Sequence, residues 1–307
     1  MKRIIAILLV AIMLLGLTAC GPINETEVSV LWASSDASGR DDMETALEKK
    51  RIVYAHYDAE GKQETQTQQA KAALDAGCAA LVVNLVENSA AQTILNMAKE
   101  KSVPVVFFDC EVTNPILSGY ESCALVTSNA ATITDVQGKQ IGEYLLDNWD
   151  DVDFNGDGRI TYTYLPGERE GSPIAAADIV LRSEKKKPLE MSFASDLLAV
   201  VTSTGETRRI AEILITADIA TAQQAVEDLQ AKGFNKDNSD LVLPVFTVGN
   251  VANTVADGHL AGTVVKDDAA TAKTVATILA NLLKGKDIFK GVEYLEGKRA
   301  LLPYTAQ

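Results

Sequence analysis

The chain has 307 residues, 47% of them hydrophobic and 23% charged, a globular balance over about two domains' length that excludes wholesale disorder and fibrous architectures. Lys and Arg number 28 against 42 Asp and Glu, and the resulting charge of −14 repels phosphate backbones and sets nucleic acid aside as a partner. Two histidines and four cysteines show no zinc-ligand spacing, and no Gly-x-Ser-x-Gly elbow, P-loop or Gly-x-Gly-x-x-Gly points to an enzyme.

Lys2 and Arg3 precede an apolar run, Ile4 to Leu15, too short to span a bilayer as a helix. Leu17-Thr18-Ala19-Cys20-Gly21 follows and resembles a bacterial lipobox. The reading is a signal over residues 1–19, a diacylated Cys20 as the new N-terminus, and a tether over 20–26. Two acyl chains suffice to hold a soluble domain on a membrane, so the expected location is extracytoplasmic and lipid-anchored. Loss of Lys2 and Arg3 with the signal takes the charge from −14 to −16. An ordinary secretory signal with a coincidental cysteine is the alternative. Of the other cysteines, Cys78 opens an apolar run and reads as a small core residue. Cys110 and Cys123 flank neighbouring strands, and either a disulfide or free thiols is compatible with their positions.

From residue 27 onward strands and helices alternate. Strands are expected at Glu27–Trp32, Arg51–Tyr57, Ala79–Val86, Pro104–Asp109 and Leu125–Thr127. Helices are expected at Gln63–Ala76, stopped by Gly77, and from a Ser89 cap through Lys101. The pattern then repeats, with helices at Ile133–Leu146, Ala175–Lys185, Ala220–Lys232 and Ala269–Leu283. Strands accompany them at Ile160–Leu165, Glu212–Thr216, Val242–Val248 and Ala261–Val265. Alternation of this kind predicts an α/β chain of two Rossmann-like lobes with parallel sheets, joined by strand crossovers. Met191–Arg209 has no clean period and receives no assignment.

The sharpest chemical signal is Asp153-Phe154-Asn155-Gly156-Asp157-Gly158-Arg159-Ile160-Thr161. Oxygen-bearing side chains alternate at Asp153, Asn155 and Asp157, Gly158 allows the turn, Arg159 offers its carbonyl, and Thr161 stands at the ninth position of an EF-hand-type Ca2+ loop. Such residues also favour an ordinary turn before a strand. The twelfth position, where an EF-hand places a Glu, is Tyr164, so a carboxylate must come from elsewhere.

Lipobox, two lobes and a strand-flanked calcium loop together resemble the galactose/glucose-binding proteins of bacterial ABC transport, type I periplasmic binding proteins. The resemblance rests on Ala79–Val86, Val103–Phe108, the loop followed by Leu165-Pro166-Gly167-Glu168, and Leu260–Val264. It implies an N-lobe of 27–129 and 267–291, a C-lobe of 130–266 and 292–307, and Glu212 as the missing calcium ligand. It also implies a sugar site after the strands, at Asp36, Asp109, Asp218 and Asn250. That site departs from the family: Gly39 lies near the place of one aromatic plate, no tryptophan replaces the other, and Ser172, Ile174 and Asp178 stand near the His, Asp and Arg positions. Lys266 takes the place of an asparagine.

The expected protein is a monomeric solute-binding lipoprotein that captures a small polar ligand, a sugar or polyol, for an ABC permease. The alternative is a calcium-stabilised sensor or scaffold lipoprotein acting through a membrane receptor. Galactose and glucose are expected to bind weakly or not at all.

Overall fold

Strands buried on both faces need helices on both sides, and the apolar runs read above become such strands. The computed structural model describes residues 27–35, 37–166, 171–191, 199–201, 207–209, 211–231, 243–249 and 260–307. The chain begins with β1 (Val28–Trp32), α1 (Arg40–Lys49), β2 (Tyr54–Asp58), α2 (Gln63–Asp75), β3 (Ala80–Val83), α3 (Ala91–Glu100), β4 (Val105–Phe108), α4 (Asn114–Ser118) and β5 (Cys123–Ser128). It continues with α5 (Ile133–Asp147), α6 (Trp149–Val152), β6 (Thr161–Leu165), α7 (Ile174–Ser183), β7 (Glu190–Met191), β8 (Ala199–Val201), β9 (Thr207–Arg209), β10 (Ile213–Thr216), α8 (Ile219–Ala231), β11 (Val245–Val248) and β12 (Leu260–Val265). Last come α9 (Asp268–Leu282), β13 (Leu295–Glu296), β14 (Arg299–Leu302) and β15 (Thr305–Ala306).

The chain divides into two units, one reaching Ser128 and including Asp268–Leu302, the other Asn129–Asp267 with Pro303–Gln307. In the first, the sheet order is β13-β14-β5-β4-β3-β1-β2, parallel apart from the β13–β14 hairpin. Alternation along each strand sorts the core into two layers. Val30, Trp32, Val82, Val106 and Val126 pack with Met43 and Leu47 of α1 and Val275 and Leu279 of α9. Leu31, Leu81, Val83, Phe107 and Leu125 pack with Leu74 of α2 and Ile94 and Leu95 of α3. Each such side chain removed from water stabilises the unit by about 1.5–3 kcal/mol before entropy is counted.

In the second unit the order is β15-β12-β11-β10-β6-β7, parallel apart from β15, and β8 and β9 form a separate antiparallel hairpin. Ile213, Ile215, Tyr162 and Phe246 meet Ile141, Leu145 and Leu181 on one face, while Leu214 and Val245 meet Val226 and Leu229 of α8 on the other. The α5–α7 crossing depends on Gly138, where a Cβ would stand 2.2 Å from the Pro173 carbonyl oxygen and 2.6 Å from the Ala176 Cβ.

Several expected boundaries move. The second strand begins at Tyr54 rather than Arg51, because Arg51 turns to φ 58° and the Ile52 N–H closes α1 on the Leu47 carbonyl at 3.0 Å. Helix α1 had no sequence assignment. Ser89 lies inside a short 3-10 turn, Asn88–Ala90, with no side-chain cap bond. Residues 292–302, assigned from sequence to the C-lobe, include β14, which pairs with β5 in the first unit. Cys78, Cys110 and Cys123 are free thiols, and burial pushes Cys78 to about 11 and Cys123 to about 12, so neither ionises near neutral pH. No helix among the described residues is long and apolar enough to cross a membrane.

Candidate functional site

The acidic loop leaves the short helix α6 and enters β6. Its side-chain oxygens turn onto the loop's own amides: Asp153 Oδ2 accepts from the Gly158 N–H at 2.8 Å, and Asn155 Oδ1 from that of Asp157 at 2.8 Å. Asp157 Oδ1 in turn accepts from the Arg159 N–H at 2.8 Å. Gly156 and Gly158 lie at φ 69° and 72°, left-handed values that side chains resist, which is why glycine recurs here. The Arg159 guanidinium points away to Glu190, at 2.5 Å, leaving only its backbone for the loop interior. Ile160 is fully buried and pins the loop to the core.

Glu212, just before β10, closes the arrangement. Its Oε2 accepts from the Thr161 N–H at 2.7 Å and from the Thr161 hydroxyl at 3.0 Å. Its Oε1 is buried with no partner among the described residues, on a residue only 1% exposed. Burial, and then the nearby Asp153 and Asp157, hold its carboxyl above the usual carboxylate range, against the two Thr161 bonds. A buried acceptor without a donor is costly, and a hard cation is the group that would satisfy it. The donor set fits calcium on that ground. Among the described residues, however, no three His, Cys, Asp or Glu side chains converge as a preformed metal centre, since the loop carboxylates serve its own amides.

The carboxyl ends of the first unit's strands are tied by residues that the sequence analysis did not single out. Asn84, directly after β3, accepts from the Ala33 N–H at 3.3 Å and donates to the Phe108 and Asp109 carbonyls at 3.3 and 3.2 Å. Gln66, fully buried on α2, donates to the Asn84 carbonyl at 2.7 Å and accepts from the Val86 N–H at 3.2 Å. Asp109 sits at φ 49°, its N–H held by the Val126 carbonyl at 2.9 Å. Arg40, at the start of α1, donates to the Ser34 carbonyl at 2.8 Å and pairs with Asp58 at 3.0 Å. Asp36 lies outside the described residues, as do Asn250 and Cys20.

In the second unit Asp218 lies two residues after β10 and caps α8, accepting from the Thr221 N–H at 2.8 Å and its hydroxyl at 2.9 Å. Gln137 of α5 donates to the Thr216 carbonyl at 3.0 Å. Asp178 accepts from the Leu189 N–H at 2.9 Å and faces Arg182 at 3.6 Å, Ile174 packs against the core, and the Ser172 hydroxyl accepts from the Ile174 N–H at 3.4 Å.

Two α/β units, each a mostly parallel sheet between helices, exchanged by chain crossings after Ser128, Asp267 and Leu302, make a fold of the periplasmic binding protein type. Residues 27–170 match the periplasmic binding protein domain. The chain is similar, 28% identical over 266 residues, to the D-galactose/methyl-galactoside binding periplasmic protein MglB of Haemophilus influenzae, with 81% of this chain and 77% of that protein covered. Its fold is shared with an ABC transporter solute binding protein of Bacillus halodurans solved with myo-inositol (TM-score 0.50, 16% identity, 94% and 96% of the two chains). It is shared also with a Mycobacterium smegmatis protein in complex with β-D-fucofuranose (TM-score 0.51, 14% identity, 92% and 90%).

Proposed function

We propose that this chain is a solute-binding lipoprotein, held outside the cell membrane by diacylated Cys20, that captures a sugar or polyol and delivers it to an ABC permease. Asp109 is the observation that supports the reading most directly. It ends a parallel strand, where α/β proteins take ligands, and its backbone is fixed from two sides by Asn84 and Val126. A carboxylate accepts several hydroxyl hydrogen bonds, and Asp36, Asp218 and Asn250 follow β1, β10 and β11 in the same sense. Asp218 would keep its cap to Thr221 and use its remaining lone pairs.

Calcium would be held by Asp153, Asn155, Asp157 and Glu212, with the Arg159 carbonyl and the Thr161 hydroxyl completing the oxygen set. Bound there it supplies positive charge that offsets the buried carboxylate. Thr161 meanwhile orients Glu212 through its N–H and hydroxyl.

A thermal-shift screen of sugars and polyols with calcium present tests the function, since ligand binding to the folded state raises stability by mass action. Pentoses and cyclic polyols are expected to shift the midpoint; galactose and glucose are expected to do so weakly or not at all. Micromolar binding of either hexose in titration would show that the pocket residues are misplaced. The commitment of Asp178 and Ile174 to internal packing favours a second reading, a calcium-stabilised sensor scaffold, which a screen without any binding ligand would support.

A further inference from the structure

We propose that the end of the first unit from which the N-terminal tether emerges is a docking face for anionic phospholipid headgroups. The proposal rests on the lipid-anchor reading of Cys20. Helices α1 and α9 pack side by side on one face of the sheet, with Gly39 at the start of α1 beside Asp268 at the start of α9. Both run from the carboxyl toward the amino ends of the parallel strands, so their C-termini arrive together at the amino edge.

There the sequence is basic. Lys49, Lys50 and Arg51 close α1, while Lys284, Lys286 and Lys290 follow α9, and all six are exposed. Only Glu48 and Asp287 oppose them along these two segments, in a chain whose overall charge is −14. None of the six is ion-paired within the described residues. The second segment is held in shape: the Asn281 side-chain amide donates to the Ile288 and Lys290 carbonyls at 3.0 and 2.9 Å. Val53 and Leu283, 55% and 40% exposed, stand among these cations. Basic side chains interspersed with apolar ones are what a charged, partly apolar lipid interface attracts.

The described chain begins at this face. The Val28 N–H, at the first residue of β1, donates to the Val53 carbonyl at 2.9 Å. Cys20 lies seven residues before Glu27, and seven residues reach about 25 Å at full extension. An acyl anchor at Cys20 therefore keeps the basic face within a short distance of the headgroups, and salt at physiological strength screens charges only beyond about 8 Å.

The test uses the full chain recovered from the membrane fraction and placed in phosphatidylcholine vesicles with or without phosphatidylglycerol, in low and high salt. Backbone hydrogen exchange of residues 49–53 and 284–290 should slow about tenfold on the anionic vesicles in low salt, because each basic side chain near such a surface adds a several-fold preference. High salt should abolish the slowing, as should the combined change Lys50→Glu, Lys284→Glu and Lys286→Glu. A milder Lys→Gln set at the same positions should reduce it while keeping the fold. Lys62→Glu, beyond the carboxyl end of β2, should leave it intact. Equal exchange on both vesicles, in a chain that sediments with the membrane, overturns the docking face alone. A chain absent from the membrane fraction overturns the anchor and the face with it.

Discussion

At the carboxyl ends of β3 and β4 the strands are tied by amides, Gln66 buried and Asn84 half-buried, whereas at the amino ends of β6 and β10 the polar side chains are carboxylates, of which Glu212 is buried. Asn84 and Gln66 each both donate and accept, so they close on backbone groups of Ala33, Phe108, Asp109 and Val86 with no outside partner. Glu212 only accepts. Thr161 satisfies one of its oxygens and the other is buried with no partner among the described residues. An amide can complete a network within the chain; a buried carboxyl group beside two further acids would be relieved by a cation. The first region is thus a structural clasp under a candidate ligand site, and the second a proposed cation site whose stability would depend on what binds.

The clasp should show the larger effect when broken. Asn84→Ala strands the Ala33 N–H and removes the donors to two carbonyls, which should cost about 2–4 kcal/mol in denaturant unfolding. Asn84→Asp cannot donate and should do no better. A loss below about 1 kcal/mol for the alanine variant would mean that water replaces these bonds readily, as in an ordinary exposed turn.

The acidic loop should respond with the opposite sign. Because the folded-state pKa of Glu212 is raised, its contribution is favourable below the ordinary carboxylate pKa and is lost as pH rises through the folded value. At neutral pH and with a chelator present, Glu212→Gln should therefore stabilise the chain by about 1 kcal/mol. Added calcium should raise the melting temperature of the original chain and leave the variant nearly unmoved. Calorimetry in which both proteins gain equally from calcium would remove Glu212 from the site.

Much of this contrast was legible in the sequence, but unevenly. Strands buried on both faces are continuous apolar runs, so β1, β3, β4, β10 and β11 stand out without partners being known. The loop was visible because its ligand spacing is local. Glu212 was not: it lies 51 residues from Thr161, and only the resemblance pointed to it. Asn84 and Gln66 join segments that periodicity cannot bring together. Asp218 was read as a ligand acid, yet Asp218-Ile219-Ala220-Thr221 is also the local pattern of a helix cap, and both its oxygens serve that cap. Helix α1 escaped notice because its apolar residues are few, although Asp41 and Asp42 in its first turn, Met43 and Leu47 one turn apart, and Lys49 at its end all agree with a helix.

A third, smaller effect sharpens the contrast at the edge of the first sheet, where a neutral imidazole plays the part of an amide. Trp32, almost fully buried, donates its indole N–H to His56 Nδ1 at 2.8 Å, and His56 Nε2 lies 3.3 Å from Glu44 Oε1. Burial lowers the His56 pKa, Glu44 works against that shift, and Arg40 adds to it. Protonation would place a second donor on Nδ1 against the indole N–H. A depressed folded pKa means that this contribution is complete above the unfolded histidine value, about 6.5, and declines as pH falls below it. The slope can be at most about 1.4 kcal/mol per pH unit for one proton. Unfolding measured from pH 7.5 to 5 should show that decline in the original chain and a flatter course in His56→Gln, whose amide can still accept from Trp32. The two proteins share Glu212, whose trend runs the other way, so the difference between them isolates His56. Parallel curves would show that the imidazole is protonated without cost and that the Trp32 bond contributes nothing to the edge.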